Sequence, residues 1–255
     1  MVLSDHQILA WLGAFLWPFL RLTGLFLTAP LYSSALIPAQ VKTALVLALS
    51  AFLAFWLPDL PPFPGHPAAA IYQGIIQISV GGAIGMVAQI IVSAVAAVGE
   101  IAGLSIGLSF AVLQFREAQG QTQALYDLML WLGLVGYIVL GGPVWLFAAL
   151  AHSFQGGMGG LDFTSWAQLA DFGGVVIASG VTLAAPVLAM ALCVNLTVGL
   201  MTVFAPQLNL LTIGFPTLIL AGLATLAGSL VVFGGAVQHL SELAARTVAA
   251  ILPHG

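Results

Sequence analysis

Few side chains in this sequence can do chemistry, and their spacing limits what that chemistry would be. Arg21 stands 13 residues inside an apolar run that begins at Ile8. An unpaired cation at such a depth costs about 3 kcal/mol on membrane-insertion scales, so a compensating group is expected. Glu100 is the one acid in the middle of an apolar stretch, which makes an intramembrane Arg21–Glu100 ion pair the expected arrangement. Such a pair either clamps two helices or takes part in an ion or proton relay. A relay needs several ionisable groups in series, and none follow here, so we adopt the clamp.

The other reactive side chains are scattered. His6, His66, His152, His239 and His254 lie at termini or in loops without metal-ligand spacing. Cys193 is the single cysteine and is read as a small hydrophobe. The string GLSIGLS, residues 103–109, lacks the strand, turn and helix of a nucleophile elbow, and no buried His/Asp pair accompanies it. No catalytic group, cofactor site or metal site is expected, and the reading is a protein that is not an enzyme.

Small and bulky residues carry a second kind of signal. Gly99, Gly103 and Gly107 recur every fourth residue, as do Gly81 and Gly85. Bare backbone at that spacing lets helices approach closely, within the chain or between subunits, and spacing leaves both open. Phe110, Leu113 and Phe115 lie at the edge of the most polar window, QFREAQGQTQ at 114–123. Bulky apolar groups there either anchor a loop or close a pore by dewetting it, and spacing alone favours the anchor.

The elements that position these residues are set by composition. Of 255 residues only 12 are Asp, Glu, Lys or Arg, or 5%, while 61% are hydrophobic. Soluble domains carry roughly a quarter charged residues, and twelve charges cannot cover a soluble surface. No charge falls between Asp59 and Glu100, between Asp127 and Asp162, or across the 70 residues between Asp171 and Glu242. With about 20 apolar residues per span, these gaps hold one, one and at least two spans. The four basic residues, Arg21, Lys42, Arg116 and Arg246, are isolated in a chain of net charge -4, which excludes a nucleic-acid footprint.

Six apolar segments follow. The first runs from Ile8 to Leu31, interrupted by Pro18 and Arg21, and is read as retained rather than cleaved. Val41 to Leu57 is the second, and Pro58 to Pro67 is an exposed linker. A third begins at Ile71 and continues to about Leu113, roughly 40 helix-compatible residues and more than one crossing uses. Leu128 to Ala151 is weakened at Gly141-Gly142-Pro143, and His152 to Asp171 reads as a Gly-rich loop. Val175 to Leu200 and about Thr217 to Val237 complete the set, and residues 238–252 form a short amphipathic surface helix with Leu240, Leu243, Val248 and Ile251 on one stripe. Lys42 and Arg246 both favour the cytoplasm, whereas six full crossings would separate them, so at least one segment is expected to be re-entrant.

The stretch RLTGLFLTAPLYSSALIPAQVKTALVLALS, Arg21 to Ser50, resembles the start of the flagellar export-gate R-subunit family, whose virulence-injectisome relatives are the T subunits. GEIAGLSIGLSF from Gly99 is similar to the family's central Gly-Glu block, and WLFAALAHSF from Trp145 to its segment ending in Ser-Phe. AAPVLAMALCVNLTVGLM from Ala184 and APQLNLLTIGFP from Ala205 resemble its penultimate hydrophobic block and its Pro-Gln-Leu-Asn to Gly-Phe-Pro signature. The chain departs from the family at Gln114-Phe115, where Asp-Pro is common, at Val203-Phe204, where a basic residue is frequent, and at Pro143, often a His.

The resemblance implies an all-α membrane protein of about six Pro/Gly-broken segments, forming bent helical hairpins and constituting one integral-membrane domain over 1–255. It implies a channel-forming subunit of the flagellar type III export gate, at the basal body in the bacterial inner membrane. Its partners would be the P and Q subunits by direct co-assembly, the B and A subunits, exported unfolded flagellar proteins and membrane lipid. The loop at about Ser105 to Thr122 would be the channel plug, with Gly107, Phe110, Leu113 and Phe115, and Pro206, Gln207, Asn209, Gly214 and Pro216 would form a signature hairpin or subunit contact. The residues leave two other readings open: a secondary transporter, for which the Pro-bounded stretches at 30–38 and 206–216 would be paired broken helices but lack an acid near the second, and an injectisome T subunit.

Overall fold

A computed structural model describes residues 5–34, 37–57, 60–107, 124–204 and 214–252. Helices account for most of these residues: α1 Asp5–Thr28, α2 Ala39–Trp56, α3 Pro67–Ser105, α4 Ala124–Val139, α5 Gly142–His152, α6 Phe163–Phe204 and α7 Phe215–Ile251. No strand occurs among the described residues. Five helices, α1, α2, α3, α6 and α7, are long and apolar enough to cross a membrane, and α4 with α5 would make a sixth, broken span. The all-α membrane architecture expected from composition is the one found.

Helix boundaries follow the local chemistry. Pro67 opens α3 at a position where its missing N–H costs no hydrogen bond. Between α4 and α5, Gly141 takes φ 74°, a left-handed conformation that glycine adopts without strain, and Pro143 starts the next helix. The non-helical stretch 60–66 is tied down: Trp17 Nε1 donates to the Pro61 carbonyl at 2.9 Å, and the Phe63 N–H donates to the Leu9 carbonyl at 2.9 Å. The linker expected to be merely exposed is therefore docked on α1.

Three boundaries differ from the sequence expectation. Pro18 does not interrupt α1, because a single missing N–H inside a long helix is tolerated where neighbouring groups cover the freed carbonyl. The Gly-rich loop ends at Asp162 rather than Asp171. There the Ser165 N–H and hydroxyl both reach the Asp162 carboxylate, at 2.7 and 2.8 Å, and cap α6 nine residues earlier than expected. Of the expected C-terminal stripe Leu240, Val248 and Ile251 are buried, while Leu243 is only half-buried and Ala244 is buried beside it; the stripe belongs to α7 and is no separate surface helix. Nothing between Val237 and Leu240 breaks the helix, since Gln238 and His239 are compatible with it.

The chain divides into two compact units. The first comprises Met1–Ile90, Gly141–Gly173 and Ser241–Gly255; the second comprises Ile91–Leu140 and Gly174–Leu240. In the first unit the buried apolar groups include Trp17, Leu22, Leu25, Ile84, Leu146 and Leu150. The second is built around Val98, Ala102, Ile106, Met129, Ala184, Val187 and Leu226, from α3, α4, α6 and α7.

Hydrogen bonds from Ser165 hold the Asp162 carboxyl below its ordinary value of 3.8. A depressed carboxyl contributes stability that is complete above the unfolded value and is lost as pH falls through the folded one. Amide exchange in the first turn of α6 is therefore expected to accelerate below pH 3.8, beyond the intrinsic pH effect. Asp162→Ala should show that acceleration already at pH 7. Equal protection of wild type and Asp162→Ala across this range would show that the cap is idle.

Candidate functional site

The strongest polar feature in the first unit is built where α1 meets α3. Gly24, Gly81 and Gly85 leave no side chain between the two backbones: a Cβ on Gly81 would collide with the Arg21 carbonyl, and one on Gly24 with the Ile78 carbonyl. Thr28 Oγ1 donates across the seam to the Gly82 carbonyl at 2.8 Å. This approach carries Arg21 into a position of complete burial beside Gln77, which is also fully buried.

The guanidinium is satisfied without a carboxylate. Its Nε donates to Gln77 Oε1 at 2.8 Å and its Nη2 to the same oxygen, while Nη1 donates to Ser153 Oγ at 2.7 Å. The Arg21 Cζ lies 3.9 Å from the centroid of the Phe154 ring, a cation over an aromatic face. Ser153 is the C-cap of α5, so the charge also meets the negative end of that helix's dipole. Behind it, Gln73 Nε2 donates to the Met158 carbonyl at 2.6 Å and Gln77 Nε2 to the same carbonyl at 3.4 Å, which holds the loop after α5 against α3.

The clamp is thus present, but with a different partner. Glu100 is exposed on α3 and supplies no counter-charge to this cluster. The expectation of an ion pair fails because three neutral groups and a helix end do the work of a carboxylate, without the desolvation of a second ion. The arrangement holds α1, α3 and the end of α5 together.

The other expected site residues fall as follows. A Cβ on Gly99 would collide with the Leu125 carbonyl and stand 2.8 Å from Met129 Cγ, so Gly99 serves packing of α3 on α4 within the chain. Gly103 is buried one turn further on. Gly107 follows α3 with φ 79°, in a turn. Phe110, Leu113 and Phe115 lie outside the described residues, as do Pro206, Gln207 and Asn209. Gly214 is buried just before α7, and Pro216 is exposed in its first turn. Sequence reasoning missed Gln73 and Gln77. Two amides four residues apart within an otherwise apolar helix were the signal available.

Helices of this number and apolarity, joined around a buried polar clamp, define a multi-span all-α membrane protein. Residues 12–244 match the family described as bacterial export proteins, family 1. The chain is 32% identical over 242 residues to the flagellar biosynthetic protein FliR of Escherichia coli (strain K12), covering 93% of this chain and 92% of that protein. It is 28% identical over 243 residues to FliR of Pectobacterium carotovorum subsp. carotovorum, with 94% and 93% covered. It is 22% identical over 253 residues to FliR of Bacillus subtilis (strain 168), with 97% of each covered. The chain belongs to this export family, that of the flagellar biosynthetic FliR proteins, a family of protein export subunits rather than of enzymes.

Removing a buried hydrogen bond to a charged group costs about 1.5–3 kcal/mol. Gln77→Leu is expected to destabilise the detergent-solubilised chain on that scale, and the double variant Arg21→Met/Gln77→Leu to recover much of the loss in thermal unfolding. Glu100→Gln should leave the melting temperature unchanged; a loss matching that of Gln77→Leu would reinstate the carboxylate as partner.

A methyl group at the seam tests the backbone contact. Overpacking typically costs about 1–3 kcal/mol and sometimes more. Gly81→Ala should fall at or above the top of that range, whereas Gly74→Ala, whose Cβ would meet only Leu20 Cδ1 at 3.5 Å, should be tolerated. Equal melting temperatures for the two variants would contradict the close approach.

Proposed function

We propose that this chain is the R-type core subunit of the flagellar type III export gate. In this reading it lies in the bacterial inner membrane at the basal body and co-assembles with P and Q subunits, with B and A subunits as further partners, into a channel for unfolded flagellar proteins. The observation that carries the reading is the family match over residues 12–244, joined by relatives that are named flagellar biosynthetic proteins. Those names favour the flagellar system over a virulence injectisome. The sequence contains no nucleotide-binding loop, so the work of export is supplied by partners.

Surface chemistry supports the assembly. Phe55, Phe163, Phe204 and Val231 are each more than four-fifths exposed, on α2, α6 and α7. A membrane protein with so much uncovered aromatic and branched surface on several helices gains by packing against sister subunits as well as lipid.

The plug is the second part of the proposal. Residues 105–122 would fill the channel at rest, hinged where Gly107 leaves α3 in the left-handed conformation. A conduit wide enough for an unfolded chain leaks ions unless an apolar, displaceable segment occupies it. Phe110, Leu113 and Phe115 supply the apolar groups, and Gln114, Gln119 and Gly120 are the small and polar residues around them.

Deleting 107–120 tests both parts. The truncated chain is expected to co-purify with P and Q subunits while making the cell membrane permeable to ions. Unchanged ion permeability in an assembled complex would remove the plug assignment, and failure of the intact chain to co-purify with those subunits would remove the gate reading itself.

A further inference from the structure

Between α1 and α2 lies an open groove of about 290 Å³, lined by Phe19, Phe26, Leu27 and Val46 along its length and by Lys42 and Thr43 near the connecting turn. Both walls are helices long and apolar enough to cross a membrane. Ser33, Lys42 and Thr43 lie toward the connecting turn, and Thr23 lies among the apolar groups. Two of the hydroxyls are spent on their own helices: Thr23 Oγ1 donates to the Phe19 carbonyl at 2.7 Å, and Thr43 Oγ1 lies 2.9 Å from the Ala39 and Gln40 carbonyls.

Lys42 differs. Among the described residues its Nζ makes one hydrogen bond, to the Ser34 carbonyl at 2.6 Å, and an ammonium has three donors. That bond fixes the ammonium at the mouth of the groove, with the alkyl stem half-buried along the wall. The groove lining contains no acid, so the Lys42 charge is not cancelled there. An apolar trough ending in a single fixed cation complements one kind of molecule, an amphiphile with an anionic head.

We propose that this groove is a binding site for one anionic phospholipid, an acyl chain lying against Phe19, Phe26, Leu27 and Val46 and the phosphate on Lys42. The inference does not depend on the export reading, since it rests on the α1–α2 pair alone.

Native mass spectrometry of the full chain tests it, after delipidation in detergent and titration with phosphatidylglycerol or phosphatidylcholine of matched acyl chains. The expected result is one phosphatidylglycerol adduct favoured about fivefold, the preference one basic side chain gives near a membrane surface. Lys42→Gln should bring the two lipids to parity, Lys42→Arg should keep the preference, and Thr43→Trp, at the exposed mouth, should remove the adduct for both lipids. Equal binding of the two lipids by wild type, or a preference that survives Lys42→Gln, overturns the site. A dimer free of lipid that Thr43→Trp dissociates also overturns it, because the occupant would then be a second copy of the chain.

Discussion

At the α1–α3 seam two helix backbones touch, because Gly24, Gly81 and Gly85 place no side chain between them. Within lipid there is no hydrophobic force to drive helices together, so close packing and interhelical hydrogen bonds must do it. The seam supplies both, through bare backbone and the Thr28 to Gly82 bond. It also buries Arg21 completely and sets the guanidinium beside Gln77, four residues before Gly81 on α3. The cation is tolerated only because that same geometry brings an amide oxygen, a serine hydroxyl, an aromatic face and the end of α5 around it. Loosening the seam would strand a charge as well as open a gap, so packing and electrostatics fail together.

Burial is unevenly shared among the helices, and the unevenness separates scaffold from surface. Within its most apolar 18-residue stretch 56% of α3 is buried in the chain, against 39% for α1, 17% for α2, 28% for α6 and 22% for α7. α3 is therefore the element others are built upon, contributing Gln77 and Gly81 to the first unit and Val95, Val98 and Ala102 to the core of the second. α2 has one narrow buried face, Val46, Ser50 and Leu53, and offers the rest outward. Such helices derive little of their stability from this chain alone.

Much of the fold was legible because membrane spans announce themselves by composition, and because Pro67, Gly141 and Pro143 act locally. The N-terminal start of α6 was not legible, since the Asp162 to Ser165 cap was masked by the glycines before it, and Pro18 looked like a break that its surroundings absorb. At the clamp, Arg21 stood out because a cation in lipid demands compensation. Its partner was misjudged because charge was sought where hydrogen-bond geometry was needed, and nothing in one dimension distinguishes Gln77 from any other amide. Ser153 and Phe154 had been marked only by family resemblance, with no role attached; their contact with Arg21 spans 132 residues and depends on the seam.

Helix length carries the last step. α3, α6 and α7 have 39, 42 and 37 residues, about twice the ~20 that one crossing requires. In a lone protein the surplus of such a helix would turn charged where it left the hydrocarbon. Here α3 contains one charged residue, Glu100, α6 one, Asp171, and α7 two, Glu242 and Arg246. Glu100, Asp171 and the Glu242–Arg246 pair each sit well away from the middle of their helices, yet long apolar stretches flank them or fill the remainder. Tilt absorbs a few residues of mismatch, not a second crossing's worth. The surplus is partly covered by the chain's own second core, and α6 and α7 still leave Val203, Phe204, Val231 and Val232 largely uncovered. Apolar helix that exceeds the bilayer and is not buried in its own chain needs another protein around it, which is a physical reason for an export-apparatus subunit of this sequence to work with other components.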